Sequence, residues 1–361
     1  MSAWRAAFWA SAGGAAWVVA GYPAALALLP ARRARTAPVT PGVTVVVPTC
    51  VEHDRLAAKL ATVAALDYPA GRLHAVVVAD GDASLAAVAR DALPGATVVA
   101  LPQRSGKPAA LNAALRHAHG DVVLLTDAHT PLAPGSLRAA VRHFADPGVW
   151  GVSGRWGERG SAYDAYEDAL RRLETRSGST ACVFGAFFAV RRERLAPWPD
   201  GVVNDDLWLL CRLVREGGRV VYEPAARAAE AALDGHSAHE RRARIGAGRV
   251  LLARDVATLP PGFAWRLASH KLGRLALPVC LLGTLISSSA LSGARGWRAL
   301  ALAQLAFHSI GGLAAAGVRP PGPAGRLSGL AREVTAGNVA VAAGVVRALR
   351  SRQRVRWEAV R

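Results

Sequence analysis

Asp205 and Asp206 are the residues of this 361-residue chain best suited to take a proton from a hydroxyl group. They stand in Val203-Asn204-Asp205-Asp206-Leu207-Trp208-Leu209, where a helical pattern begins. A helix N-terminus favours acidic side chains in any case, but a carboxylate there also suits a general base. Asp127 and His129 are spaced i, i+2 just beyond the apolar run Val122-Val123-Leu124-Leu125. Side chains so spaced can reach one cation with an oxygen and a nitrogen, a donor set that admits Mn²⁺ as readily as Mg²⁺. Such a cation would neutralise the oxygens of a nucleotide diphosphate and its leaving-group charge. Lys107 lies in Arg104-Ser105-Gly106-Lys107-Pro108. Only Lys59, Lys107 and Lys271 are lysines among 44 basic residues, so a lysine beside a loop glycine stands out. A compact ammonium suits a phosphate or a carboxylate held at short range.

Three further motifs carry polar groups. Val47-Pro48-Thr49-Cys50-Val51-Glu52 ends an apolar run without the glycine-rich turn of a dinucleotide-binding domain. Glu52 there suits a ribose or base edge, or simply a helix start. Asp80, in Ala79-Asp80-Gly81-Asp82, suits a nucleobase N–H or an ordinary turn. His239-Glu240-Arg241-Arg242-Ala243-Arg244 puts three guanidinium groups on one short segment, fitted to a diphosphate or to lipid headgroups.

These residues need a scaffold. Thr44–Val47, Ala75–Val78, Thr97–Ala100 and Val122–Leu125 are short continuous apolar runs separated by helical segments. That pattern predicts an α/β domain with a mostly parallel sheet covered on both faces. The polar clusters follow the strands, at the carboxyl edge where open sheets bind ligands.

Composition sets the surroundings. The net charge is +18 and 52% of residues are apolar. The arginine excess fits a GC-rich coding sequence or attraction to anionic lipid. The arginines are scattered and frame no nucleic-acid module, so a nucleic-acid partner is not expected. Cys50, Cys182, Cys211 and Cys280 follow no metal-ligand spacing and read as reduced thiols. Ala6 to Leu29 is almost uncharged and long enough to span a bilayer. Arg32, Arg33 and Arg35 follow it, which disfavours a signal peptide and places the next domain in the cytoplasm. Phe263 to Arg274 resembles an interfacial helix. Leu275–Leu291 and Trp297–Val318 are further span candidates, whereas Val334–Val346 is short for one and reads as re-entrant or interfacial. The expected division is a 1–35 anchor, a 40–260 catalytic domain, a 261–274 interfacial helix, and 275–361 with membrane segments and a basic cytoplasmic tail.

Taken in order, the motifs from Val43 to Pro278 resemble the inverting family 2 glycosyltransferases of the GT-A fold. The membrane frame is similar to the branch that includes cellulose, chitin and hyaluronan synthases. The resemblance implies a divalent metal, Mn²⁺ or Mg²⁺, and a nucleotide-sugar donor, usually of uridine. It implies donor binding by Pro48, Thr49, Glu52, Asp80, Lys107, Asp127, Arg241 and Arg244. Asp127 and His129 fall on the Asp-X-Asp metal motif, with His129 in place of the second aspartate. Asp205-Asp206 falls on the Glu-Asp motif, with Asp206 as base, and Phe184-Gly185-Ala186 on the acceptor lining. Processive synthases carry Gln-X-X-Arg-Trp where this chain has Arg241-Arg242-Ala243-Arg244-Ile245. The expected function is therefore non-processive transfer to a glycan or lipid-linked acceptor, by an integral protein of the plasma (inner) membrane with its catalytic domain in the cytoplasm. A processive synthase, a nucleotidyltransferase and a non-catalytic scaffold are the alternatives.

Overall fold

In a computed structural model of the chain, residues 2–156, 162–229, 235–318 and 320–350 are described. Arg352, Arg354, Arg356 and Arg361 of the expected basic tail lie outside them. The chain divides into two compact units. Among the described residues, one comprises 29–156, 162–229 and 258–263; the other comprises 2–28, 235–257, 264–318 and 320–350.

The first unit is built on a seven-stranded sheet: β1 Val43–Thr49, β2 Leu73–Asp80, β3 Thr97–Leu101, β4 Val122–Leu125, β5 Val149–Trp156, β6 Phe188–Arg191 and β7 Arg219–Ala228. The order is β3-β2-β1-β4-β6-β5-β7. Strands β1 to β4 run parallel, and only β6 is antiparallel to its neighbours. The four apolar runs seen in the sequence are the four parallel strands. The valines of β1, β2 and β4 are buried because helices cover both faces, whereas Val98 and Val99 on the edge strand β3 are half-buried. Helices α2 His53–Ala64, α3 Ala83–Ala92 and α4 Lys107–Leu115 cross between parallel strands, α5 Ser136–Val141 and α6 Ala162–Ser177 follow β4 and β5, and α7 Asp205–Arg215 precedes β7. The carboxyl ends of β1, β2 and β4 and the N-termini of α4 and α7 supply the polar motifs.

The second unit is helical. Helix α1 covers Ala3–Leu28, α8 Gly235–Leu252, α9 Pro261–Ala290, α10 Arg295–Ala315 and α11 Gly322–Leu349. Among the described residues, α1 and α9 are long and apolar enough to cross a membrane. Helix α9 joins the segment read as an interfacial helix and the span after it into one element, through a π-helical turn at Ala268–Leu272. The apolar stretch Val334–Val346 is the second half of a 28-residue helix, since Gly322–Thr335 is helical although weakly apolar. A second π turn, Trp17–Gly21, spans the Val19 carbonyl that the ring of Pro23 would otherwise meet. Aromatic rings gather in two places. Phe8 meets Trp297 edge to face at 4.8 Å, with Trp4 and Trp9 exposed nearby in sequence. Trp265 meets Tyr22 at 5.2 Å and Trp17 at 6.4 Å.

Candidate active site

Strand β2 ends at Asp80, which is 6% exposed. Its two carboxylate oxygens accept the backbone N–H groups of Ser105 (2.7 Å) and Gly106 (2.8 Å). Gly81 has φ +81°, and a Cβ there would lie 2.4 Å from the backbone nitrogen of Arg104, so only glycine lets the two loops touch. Asp80 is thus engaged in shaping the turn before Lys107. Of the two uses that the sequence offers for Asp80, a nucleobase N–H or a turn, both of its oxygens here serve a turn.

Gly106, at φ +92°, turns the chain into α4, and Lys107 leads that helix. The Lys107 ammonium lies 2.8 Å from Asp127 Oδ1 and 3.1 Å from Asp205 Oδ2. All three side chains are only 10–13% exposed. Burial by itself would lower the lysine pKa, but the carboxylates of Asp127, Asp205 and Asp206 outweigh it and raise it. Removing one member of such a buried pair typically costs about 3–5 kcal/mol.

Asp206 is crowded but partly open. Its Oδ1 accepts the Leu207 N–H at 2.8 Å, and its Oδ2 lies 3.2 Å from where a Cβ on Gly185 would sit. Burial first, and the neighbouring Asp205 carboxylate second, push its pKa up to about 6, with Lys107 pulling it down. Gly185 has room for no side chain without pressing on this carboxylate, which places the Phe184-Gly185-Ala186 turn against Asp206.

His129 follows Asp127 within one turn, closed by the Thr130 hydroxyl donating to the Asp127 carbonyl at 2.9 Å. Among the described residues, no group of three or more His, Cys, Asp or Glu side chains forms a metal cage. Asp127 and His129 carry an oxygen and a nitrogen donor on that one turn, the donor types that Mn²⁺ accepts. Thr49 is 2% exposed, and its hydroxyl has no hydrogen-bond partner among the described residues. Pro48 pairs with Val78 within the sheet. Glu52 is mostly exposed and reaches Arg55 at 3.4 Å. Arg241 and Arg244 stand on α8, in the helical unit.

Four residues with no assigned role in the sequence reading shape the site. Asn112 on α4 bonds the Trp198 backbone twice (2.8 and 2.9 Å), and Trp198 Nε1 donates to the Asp205 carbonyl at 3.1 Å. The lysine helix and the aspartate helix are thereby tied together. An asparagine inside an otherwise apolar helix was the available signal. Lys59, 1% exposed, donates to Thr126 Oγ1 (2.7 Å) and the Thr130 carbonyl (2.5 Å), pinning both ends of the Asp127–His129 turn. Thr126 in turn donates to the Ala186 carbonyl at 2.6 Å. The rarity of lysine in this chain was the sequence signal for Lys59.

Burial pushes the Lys59 pKa down from 10.5 to about 7, while Asp127 pulls it up. The folded chain therefore binds fewer protons than the unfolded chain between about pH 7 and 10.5, and stability rises with pH across that window. The thermal midpoint of the detergent-solubilised protein is expected to be higher at pH 9 than at pH 7, and Lys59→Met to abolish most of that gain. An unchanged pH slope in Lys59→Met would refute this assignment.

A cavity of about 460 Å³ lined by Val39, Pro41, Gly120, Asp121, Phe144 and Arg191 opens at the amino ends of β1 and β4. It lies at the opposite edge of the sheet and contains none of the residues just described.

A family model for "glycosyltransferase like family 2" matches residues 41–249, more than half of the chain. An N-acetylglucosaminyltransferase of Mesorhizobium japonicum is 31% identical over 226 residues, covering 52% of this chain and 51% of that protein. One of Bradyrhizobium diazoefficiens is 31% identical over 219 residues, covering 53% and 45%. The chain thus spans about half the length of the curated relatives it matches. Among solved structures, the mannosyltransferase PcManGT from Pyrobaculum calidifontis, in complex with GDP-Man and Mn²⁺, superposes with a TM-score of 0.75 at 27% identity, covering 96% of this chain and 97% of that one. With the strand order, the acid–lysine cluster at the sheet edge and the family match in agreement, the chain belongs to glycosyltransferase family 2 and has the GT-A fold.

Proposed function

We propose that this protein transfers a sugar, with inversion, from a nucleoside-diphosphate sugar to an acceptor hydroxyl at the cytoplasmic face of the inner membrane. The observation that carries this reading is the convergence of Lys107, Asp127, Asp205 and Asp206 at one edge of the sheet, with Asp206 against the Gly185 turn. The Gly185 side is the natural seat of the acceptor. Asp206 takes the hydroxyl proton as that oxygen attacks the anomeric carbon. The bond to the diphosphate breaks, and its electron pair leaves on the phosphate oxygen. Lys107 offsets that charge. A pKa near 6 leaves Asp206 mostly ionised at neutral pH, ready to act as base. When bound, the divalent cation would be held by Asp127 and His129 and would stabilise charge on the diphosphate. Asp80 acts through the loop that presents Lys107. Thr49, with Pro48 and Glu52 at the end of β1, lines the nucleoside side, where the Thr49 hydroxyl gains a partner.

Transfer of one or a few sugars is favoured over polymer synthesis because the tryptophan-bearing chain-end motif of processive synthases is absent from Arg241–Ile245. The likeness to the mannosyltransferase extends along both whole chains, helices included. It supports a nucleotide-sugar donor used with Mn²⁺. The acceptor of this reading is membrane-proximal or lipid-linked, in keeping with a chain that carries two helices long and apolar enough to cross a membrane. Two apolar helices and two aromatic clusters fit a bilayer and its interfaces, and Arg32, Arg33 and Arg35 fit a cytoplasmic catalytic domain. Purified protein should release nucleoside diphosphate slowly from one member of a panel of UDP-, GDP- and TDP-sugars, in a manner dependent on Mn²⁺ or Mg²⁺. No turnover and no binding with any of them would reject the reading.

A further inference from the structure

The point held by the Lys107 ammonium is within 2.8 Å of one carboxylate oxygen and 3.1 Å of another, from two different elements. Oxygens of two acids converging on one point are what a hard cation seeks. Less than about 1 Å of closure separates these distances from those of a bound Mg²⁺. The ammonium therefore sits where a divalent cation has reason to bind. Its backbone is fixed, because Asp80 holds the preceding Ser105 and Gly106. Its four-carbon stem is the part that can swing.

We propose that Lys107 is the internal counter-cation of the site, which holds Asp127 and Asp205 together and keeps divalent cations out until a nucleotide arrives. The proposal deepens the function given above and rests on it. In the nucleotide-free protein, a divalent cation approaching Asp127 meets a positive charge about 3 Å from the oxygen it needs, and the two repel. A diphosphate changes the balance in two ways. It brings the cation with its charge already partly neutralised, and it offers the ammonium a new anionic partner. Lys107 then exchanges Asp127 for a phosphate oxygen while staying near Asp205, and Asp127 is freed for the cation. Cation and nucleotide binding become mutually dependent through one side chain.

The test is a Mn²⁺ titration followed by electron paramagnetic resonance on the full-length protein in detergent, with and without UDP or GDP. Wild type should bind little Mn²⁺ alone and much more with the preferred nucleoside diphosphate. Lys107→Met should bind free Mn²⁺ at least tenfold more tightly than wild type, because the positive charge that repels a cation from Asp127 and Asp205 is then gone. The same variant should bind the Mn²⁺–nucleoside diphosphate at least tenfold more weakly, because the phosphate loses its lysine. Lys107→Gln, which keeps polar contacts without charge, should show the same opposed pair of changes. A lysine that only contacts phosphate would leave nucleotide-free Mn²⁺ binding unaltered in both variants, and one that only supports the fold would weaken both measurements. Either result overturns the proposal. Wild type that binds no nucleoside diphosphate rejects the function itself. Wild type that binds one with Mn²⁺, while neither variant gains free Mn²⁺ affinity, rejects the counter-cation role alone.

Discussion

Asp206→Asn is expected to lower kcat by roughly 10²- to 10⁴-fold, the range that a positioned general base supplies. The donor dissociation constant should stay within a few-fold of wild type. The amide keeps the shape and removes only the proton acceptor. The fold should not suffer, since the substitution removes a carboxylate crowded against Asp205. Wild-type kcat should also fall as pH drops through about 6, where Asp206 becomes protonated, and Asp206→Asn should lack that limb. Isothermal titration for the donor and a pH–rate profile for turnover separate the two effects. A variant with normal kcat and lost donor binding would remove Asp206 from the base role.

Asp127→Asn is expected to be nearly as damaging, for a different reason. It removes the negative charge from the shorter of the two Lys107 contacts and takes away the one carboxylate of the Asp127–His129 pair. Stabilisation of diphosphate charge by a bound cation is worth several kcal/mol, and each 1.36 kcal/mol is tenfold in rate. We therefore expect kcat/KM to fall by at least about a hundredfold, with a higher Mn²⁺ requirement that extra Mn²⁺ partly offsets. Titrating activity against Mn²⁺ at fixed donor checks this. An unchanged Mn²⁺ requirement would show that Asp127 holds no cation.

The four parallel strands could be read in the sequence because continuous valine-rich runs have few other uses in a chain with helices between them. Strands β5 to β7 were harder to read. β6 is four residues long, and β5 carries two glycines. Asp127, Asp205, Asp206 and Lys107 were legible as reactive types after strands or before helices. Their mutual contact was not, because it depends on how α4 and α7 face each other, a relation set by Asn112 and Trp198. Asp80 was legible as a sheet-edge acid but not as the group that closes the Ser105–Gly106 turn. Hydropathy alone divided 261–290 at Arg274, whereas backbone hydrogen bonding runs on through it. Likewise it isolated Val334–Val346, because the first half of α11 is helical without being strongly apolar.

Anomalous diffraction at the manganese edge, from crystals grown with Mn²⁺ and the nucleoside diphosphate that binds best, tests the central claim most directly. A manganese peak within about 2–2.5 Å of the Asp127 carboxylate, with the diphosphate beside Lys107 and the Asp206 carboxylate facing the open side by Gly185, is the predicted result. A nucleotide seated at another edge of the sheet, or a manganese peak remote from Asp127, would contradict it.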